Sequence, residues 1–159
     1  MIEVMTKLDE KLIVKPIPLK GFSGKNVVYV PFDSPSRILQ RAIKKSSLKE
    51  IDICFGYLYI LKEKTIIYHA MGAPLAVIAL ESLIASGAKE ILVLGFCGSL
   101  NPRYRMMDVV SISKALSEEG TSRHYFSRNR TFCPSPLLKN RIENVLRQKA
   151  LPFRSGTCV

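Results

Sequence analysis

Short apolar runs separated by turn residues account for much of the chain. Six or seven of these runs predict β-strands, and Val, Ile and Tyr are prominent among them. The predicted strands are residues 26–30, 90–94, 108–113 and 153–159, with two or three more between residues 51 and 68, at 51–55, 57–61 and 65–68. Several of the turns between them hold glycine, proline or charged residues, as at residues 62–64. The pattern indicates a fold with many short strands.

Three other segments carry apolar residues at helical spacing. The first helix is predicted from the cap Ser34 to about Lys45, and the third from the cap Ser135 to about residue 149. The second follows Gly72-Ala73-Pro74 and ends at Gly87, which takes the C′ position. The predicted inward positions are Ile38, Leu39 and Ile43 in the first helix, Leu75, Ile78, Ala79, Leu83 and Ile84 in the second, and Leu138, Ile142, Val145 and Leu146 in the third.

The order of these elements predicts an α/β fold. The second helix leads directly into the strand at residues 90–94, whose apolar residues 91–94 we expect to be buried. With 159 residues, 47% of them hydrophobic, the chain can bury one sizeable core. We expect an irregular lead-in over residues 1–25, rich in proline and glycine, and a single domain over residues 26–159.

Composition excludes several classes of protein. No apolar run approaches the roughly 20 residues that span a bilayer, and the first residues lack a signal-peptide core, so a cytoplasmic protein without membrane contact is expected. The four cysteines form no CxxC pair, which argues against a zinc site or any other metal site. The net charge is +11, but the basic residues are dispersed along the chain without interleaved aromatic residues. This dispersal disfavours nucleic-acid binding. Attraction of anionic substrates would explain the net charge as well as nucleic-acid binding does, and a solvated basic surface with no specific role is the simplest account.

Three turns at predicted strand ends are candidates for binding an anion. Gly95 and Gly98 flank Cys97 just after the strand at residues 90–94, Arg37 follows the turn 33–36, and Gly72 precedes the second helix. Backbone N–H groups at such turns, and at helix N-termini, attract phosphate, and an arginine can clamp it with two hydrogen bonds. Each turn alone is equally explained by local backbone needs. Together they predict one crevice with phosphate at Arg37, Gly72, Gly95 and Gly98, lined by Met71, Phe96 and Cys97.

The segment 117–126 is the densest in polar side chains. Glu119, Thr121, His124 and Tyr125 suggest either a functional loop or a contact between subunits, and a loop that is merely solvated would look similar. His124 has no partner at the spacing of a hydrolytic triad, and His69, next to an apolar strand, is typical of a structural histidine.

Taken together, these motifs resemble the nucleoside phosphorylase family that includes uridine and hexameric purine phosphorylases. The similarity covers about residues 26–159 and rests on GAPLAVIALESLIASGAKE from residue 72, LGFCGSL from residue 94, DVV from residue 108 and EEGTSRHY from residue 118, in the family's order. The resemblance implies a three-layer α/β/α sandwich around a mixed central sheet, lacking the family's last elements. It also implies a homo-oligomer that uses a nucleoside and inorganic phosphate, with no other cofactor.

The implied reaction is phosphorolysis of the N-glycosidic bond, which yields a base and a pentose 1-phosphate. By position, Arg37 and Gly72 match phosphate-binding residues of the family. Val93 and Phe96 stand where the phosphorylases carry an arginine and a serine or threonine, and the family's later ribose and base motifs have no counterpart. Impaired phosphorolysis is therefore expected, with two alternatives: a nucleosidase in which water replaces phosphate, or a non-catalytic oligomerising or ligand-binding remnant.

Overall fold

The computed structural model describes residues 15–22, 26–31, 41, 45–46, 49–53, 56–61, 65–69, 72–126, 128 and 130–159. The chain forms two compact units, residues 1–96 and residues 97–159, and each is described by itself. Within the predicted helix at 34–45, Arg41 and Lys45 have helical backbone, while Arg37 and the inward positions Ile38, Leu39 and Ile43 lie outside the described residues. The single domain expected over residues 26–159 stays a prediction.

Unit 1 contains a five-stranded mixed sheet. Its order is β2-β3-β4-β1-β5, in which β1 is parallel to both of its neighbours and β3 is antiparallel to both of its own. The strands are β1 (Asn26–Val30), β2 (Lys49–Ile53), β3 (Gly56–Ile60), β4 (Thr65–His69) and β5 (Glu90–Val93). All five strands predicted in this part of the chain are confirmed, with ends shifted by at most two residues. His69 is the last residue of β4.

The helix α1 (Ala73–Ala85) packs on one face of this sheet. Ala79 and Leu83 are buried together with Val27, Tyr29 and Leu58 in one hydrophobic cluster. The prediction that Ile78 faces inward is wrong, because its side chain is 56% exposed. The core-facing stripe runs through Ala76, Ala79, Leu80 and Leu83, and at 100° per residue Ile78 lies far from it.

The opposite face of the sheet is also buried. Side chains alternate along a strand, so Val30 in β1 lies on the face away from Val27 and Tyr29. Val30 and Tyr59 form a second buried cluster, against which Val28 and Leu61 pack. A sheet buried on both faces is typical of α/β proteins with parallel strands.

The end of β5 differs from the sequence prediction. The strand ends at Val93, and the side chains of Val93 and Leu94 are 58% and 56% exposed instead of buried. In the strand order β5 comes last, with β1 as its one neighbour among the described strands. A strand with a neighbour on one side only leaves its side chains less covered than a central strand does.

Unit 2 contains a three-stranded sheet of order β7-β6-β8 and the helix α2 (Pro136–Gln148). Its strands are β6 (Val109–Leu116), β7 (Thr131–Phe132) and β8 (Phe153–Cys158). β6 is parallel to β8 and antiparallel to β7, a short strand that the apolar pattern did not predict. Ser135 caps α2 as predicted, since its hydroxyl accepts a hydrogen bond from the Leu138 N–H at 3.4 Å.

The buried face of α2 is only partly apolar. Leu138, Ile142 and Leu146 are half-buried as predicted, but Val145 is 53% exposed and Glu143 is buried. The half-buried and buried positions of α2 are 138, 139, 142, 143 and 146, and Val145 lies about a quarter turn from the centre of this face, beyond its edge. The inward prediction for Val145 is therefore wrong.

Candidate functional site

The strand order of unit 1 brings two of the predicted anion-binding turns to one edge. Strands β4, β1 and β5 are adjacent and parallel, so their carboxyl ends lie along the same edge of the sheet. Gly72 follows the end of β4 by three residues, and Gly95 follows β5 by two. Ligands bind at this edge in open α/β sheets.

Gly72 opens α1 with a backbone that favours glycine. Its φ of 114° and ψ of 142° lie in a region that side chains rarely adopt, and its C=O accepts a hydrogen bond from the Ala76 N–H at 2.9 Å. No side chain among the described residues caps this helix. Its first-turn N–H groups have no partner within the helix, as at any helix start, and the positive end of the helix dipole lies there.

Gly95 lies against the turn that follows β1. A Cβ built on Gly95 would be 3.6 Å from Cγ of Pro31, and the Leu94 N–H donates to the Tyr29 C=O at 2.9 Å. Pro31 begins the segment that leads to Arg37. Arg37 and Met71 lie outside the described residues, so their roles in phosphate binding and pocket lining stay predictions.

The other residues of this predicted turn are strongly exposed. Phe96, the last residue of unit 1, has 91% of its side chain exposed. Cys97 and Gly98 open unit 2, and both are exposed. The binding roles predicted for these residues and for Gly95 remain untested.

The polar segment after β6 is held by Glu119. Its carboxylate accepts hydrogen bonds from the Ser117 hydroxyl at 3.1 Å and from the backbone N–H groups of Thr121 at 2.6 Å and Ser122 at 3.0 Å. Hydrogen bonds from the Ser122 hydroxyl and from backbone N–H groups lower the pKa of Glu119 to about 2. An acid this strong is fully ionised at neutral pH and cannot act as a general acid there.

The bonds to Glu119 organise the start of a short 3₁₀ helix, Thr121–His124. Arg123 and His124 are exposed at the end of this helix, whereas Thr121 and Tyr125 are half-buried. The sequence signal for this arrangement is the position of Glu119, two residues before Thr121 and three before Ser122. This is the spacing of a side chain that caps a helix start. The predicted choice between a functional loop and a subunit contact stays open.

The apolar pattern missed one buried ionic group. Glu143 in α2 is 8% exposed, accepts a hydrogen bond from the Ser111 hydroxyl at 2.8 Å, and pairs with Lys139 and with Arg147 at 3.3 Å. Hydrogen bonds from Lys139 and Ser111 lower its pKa. The spacing of Lys139, Glu143 and Arg147, four residues apart each time, is the signal that could have revealed it.

A metal site needs several clustered ligand side chains, and a membrane span needs a long apolar helix. The described part of the chain holds no group of three His, Cys, Asp or Glu side chains placed to bind a metal ion. Among the same residues, no helix combines the length and apolar character needed to cross a membrane.

Comparison with known proteins identifies the family. The model of the phosphorylase superfamily matches residues 38–159. A guanosine phosphorylase from Halorubrum lacusprofundi is 40% identical over 63 residues, which cover 40% of this chain and 26% of that protein.

Solved structures of the same kind share the fold. Uridine phosphorylase from Vibrio fischeri superposes with a TM-score of 0.74 at 18% identity, over 92% of this chain and 64% of the other. AMP nucleosidase from Bacteroides thetaiotaomicron gives a TM-score of 0.75 at 21% identity, over 84% of this chain and 58% of the other. The chain thus spans less than two thirds of the length of these relatives. It belongs to the phosphorylase superfamily and has the α/β fold of the nucleoside phosphorylases and nucleosidases.

Proposed function

We propose that this chain acts on nucleosides and cleaves the N-glycosidic bond by phosphorolysis. The observation that carries the proposal is the match of residues 38–159 to the phosphorylase superfamily. It is supported by the edge where β4, β1 and β5 end together, with Gly72 and Gly95 in the turns that follow. An oxygen of hydrogen phosphate bonds to the anomeric carbon of the sugar, the bond from that carbon to the base nitrogen breaks, and the base takes up the proton that the phosphate gives up.

The chemistry suits a site made of backbone groups and an arginine. Positive charge develops on the sugar as the base departs, so a phosphate held on the opposite face stabilises the transition state. The first-turn N–H groups of α1 would hold phosphate oxygens, and Arg37 would clamp them. Positioning and electrostatic stabilisation supply the catalysis, with inorganic phosphate as co-substrate and no other cofactor.

Hydrolysis is the second candidate, favoured by two residues at the end of β5. Val93 and Phe96 stand where the resemblance places an arginine and a hydroxyl residue as phosphate ligands, and neither side chain can bind phosphate. The structural similarity to an AMP nucleosidase also fits this alternative. In this case water, rather than phosphate, would attack the sugar.

One assay separates these proposals. The chain is incubated with uridine, inosine, guanosine or methylthioadenosine, with and without inorganic phosphate, and base and sugar products are separated by chromatography. Phosphate-dependent base release with pentose 1-phosphate supports phosphorolysis, whereas release of free pentose without phosphate supports hydrolysis. An absence of turnover in a folded, self-associated chain would contradict both and leave the non-catalytic alternative.

Self-association is also proposed, as is a cytoplasmic location. In unit 2 Leu100, Met106 and Met107 are each more than 90% exposed, and a contiguous patch of such residues would mark a contact between proteins. Sedimentation would test the proposal, since a monodisperse monomer would contradict it. Fractionation of cells that express the tagged chain would test the location.

A further inference from the structure

We infer that the basic loop of unit 2, defined by its described residues 117–126, 128 and 130, is a docking surface for the phosphodiester backbone of a nucleic acid. This inference goes beyond the proposed reaction on nucleosides and does not depend on it. The two units differ in net charge. The basic residues are dispersed along the sequence, but the division of the chain after residue 96 separates them unequally.

Unit 2 carries most of the excess positive charge. Residues 97–159 contain eleven Lys or Arg and four Asp or Glu, whereas residues 1–96 contain thirteen and nine. The shorter unit therefore has an excess of seven positive charges and the longer unit an excess of four. Charge asymmetry between two parts of a chain is a recognised indicator of binding to a polyanion.

Three of the four carboxylates in unit 2 are engaged within it. Asp108 pairs with Arg154 at 3.3 Å, Glu143 pairs with Lys139 and Arg147, and Glu119 accepts hydrogen bonds inside the basic loop. The remaining carboxylate, Glu118, is exposed on the basic loop itself. Arg123, Arg128 and Arg130 are exposed on the same loop, and none of them forms an ion pair within the part of the chain that the structure describes.

The basic loop is fixed at its base and in its middle. At the base, the Ser117 N–H donates to the Arg130 C=O at 2.8 Å, next to the pairing of Leu116 with Thr131. The rings of Phe126 and Phe132 lie 5.1 Å apart. In the middle, Glu119 holds the 3₁₀ helix that carries Arg123.

This arrangement suits a regular chain of phosphates. Arginine forms bidentate hydrogen bonds to phosphate, and the residues that Glu119 already holds in place lose little entropy on binding. Nucleic acid presents phosphates at close, uniform spacing, so several arginines can be engaged without recognition of a sequence. An acidic protein is the competing partner, and the following test distinguishes it.

The test uses the full chain and a fluorescein-labelled DNA duplex of 20 base pairs of mixed sequence. Anisotropy gives Kd at salt concentrations from 50 to 200 mM, and unlabelled poly-L-glutamate serves as competitor. We expect Kd to rise steeply with salt, and R123Q/R128Q/R130Q to lower the slope of log Kd against log salt by about one for each phosphate that is no longer neutralised. The matched control, K15Q/K20Q/K45Q, removes the same charge from exposed lysines of unit 1 and should leave the slope nearly unchanged.

Three outcomes would overturn the inference: no binding of the duplex by the parent chain, equal effects of the two triple variants, or displacement of the duplex by poly-L-glutamate at equal charge concentration. A second variant separates geometry from net charge. Glu119→Ala makes the chain one unit more positive but removes the acceptor that orders the loop. The inference requires weaker DNA binding by this variant in spite of its added charge, whereas unchanged or tighter binding contradicts it. Circular dichroism of each variant checks that the fold is retained.

Discussion

The Ser111 hydroxyl donates a hydrogen bond of 2.8 Å to the buried carboxylate of Glu143, and this bond joins strand β6 to helix α2. The same carboxylate accepts hydrogen bonds from Lys139 and Arg147 of its own helix. Arg147 also lies over the ring of Phe153 in β8, 5.3 Å from its centre. Glu143 therefore joins α2 to β6 directly, and through Arg147 it is linked to β8.

Removal of this carboxylate should lower the stability of the fold. Glu143→Ala leaves Ser111 and Lys139 without their acceptor, so we expect a clear fall in Tm by calorimetry. Glu143→Gln keeps an acceptor and should be less destabilising, and Ser111→Ala should be less destabilising than Glu143→Ala because the ion pair with Lys139 remains. Equal Tm values for Glu143→Ala and the parent chain would contradict this role.

Acid should destabilise the fold through Glu119. Because its pKa in the fold is about 2, against an ordinary value of 4.5, the ionised form favours the folded state. Its contribution is complete above about pH 4.5 and is lost as the pH falls toward 2. We expect the unfolding free energy from urea titrations to fall across this range, and to fall less steeply in Glu119→Gln, which does not titrate. Identical pH profiles for the two proteins would contradict the prediction.

Local signals in the sequence predicted much of the fold. The cap at Ser135, the C′ glycine at position 87 and the strands of unit 1 are set by neighbouring residues, and all are confirmed. The sequence placed Gly72 and Gly95 after the carboxyl ends of two strands. In the observed strand order these ends lie along one edge of the sheet.

Long-range packing explains what the sequence did not predict. The spacing of apolar residues places Ile78 and Val145 inward. Which face of each helix is buried, however, is determined by the strands and residues that pack against the helix. Glu143 escapes the same count because it is charged, and its burial depends on Ser111, which is 32 residues away. The ordering of the 3₁₀ helix depends on Glu119, which the sequence analysis singled out without predicting the helix.

The two helices end in the same motif with different residues, which makes a matched pair of variants. At the end of α1, Gly87 has a φ of 97°, and the N–H groups of Gly87 and Ala88 donate to Ile84 and Leu83. At the end of α2, Ala150 has a φ of 51°, and the N–H groups of Ala150 and Leu151 donate to Arg147 and Leu146. Both are Schellman motifs, in which the residue of positive φ favours glycine.

Exchange of the two residue types should therefore have opposite effects. Gly87→Ala should destabilise the fold by about 1 kcal/mol, and Ala150→Gly should stabilise it by a similar or smaller amount. Urea unfolding of both variants measures the difference. In the part of the chain that the structure describes, no atom lies within 4 Å of a Cβ built on Gly87, so steric crowding does not explain a loss of stability there. Shifts of the same sign in the two variants would contradict the account.

Gly72→Ala tests the predicted phosphate site through the backbone. Among the described residues, no atom lies within 4 Å of a Cβ built on Gly72, so the added methyl group meets no obstacle there, but a φ of 114° costs a side-chain residue roughly 1–3 kcal/mol. The N-terminus of α1 should shift to relieve this strain and move its N–H groups. If phosphate binds there, the KM for phosphate should rise more than the KM for the nucleoside. Gly120→Ala, at a glycine of negative φ in unit 2 that also has open space around it, is the control. Equal changes in both KM values, or the same loss in the control, would count against phosphate binding at Gly72.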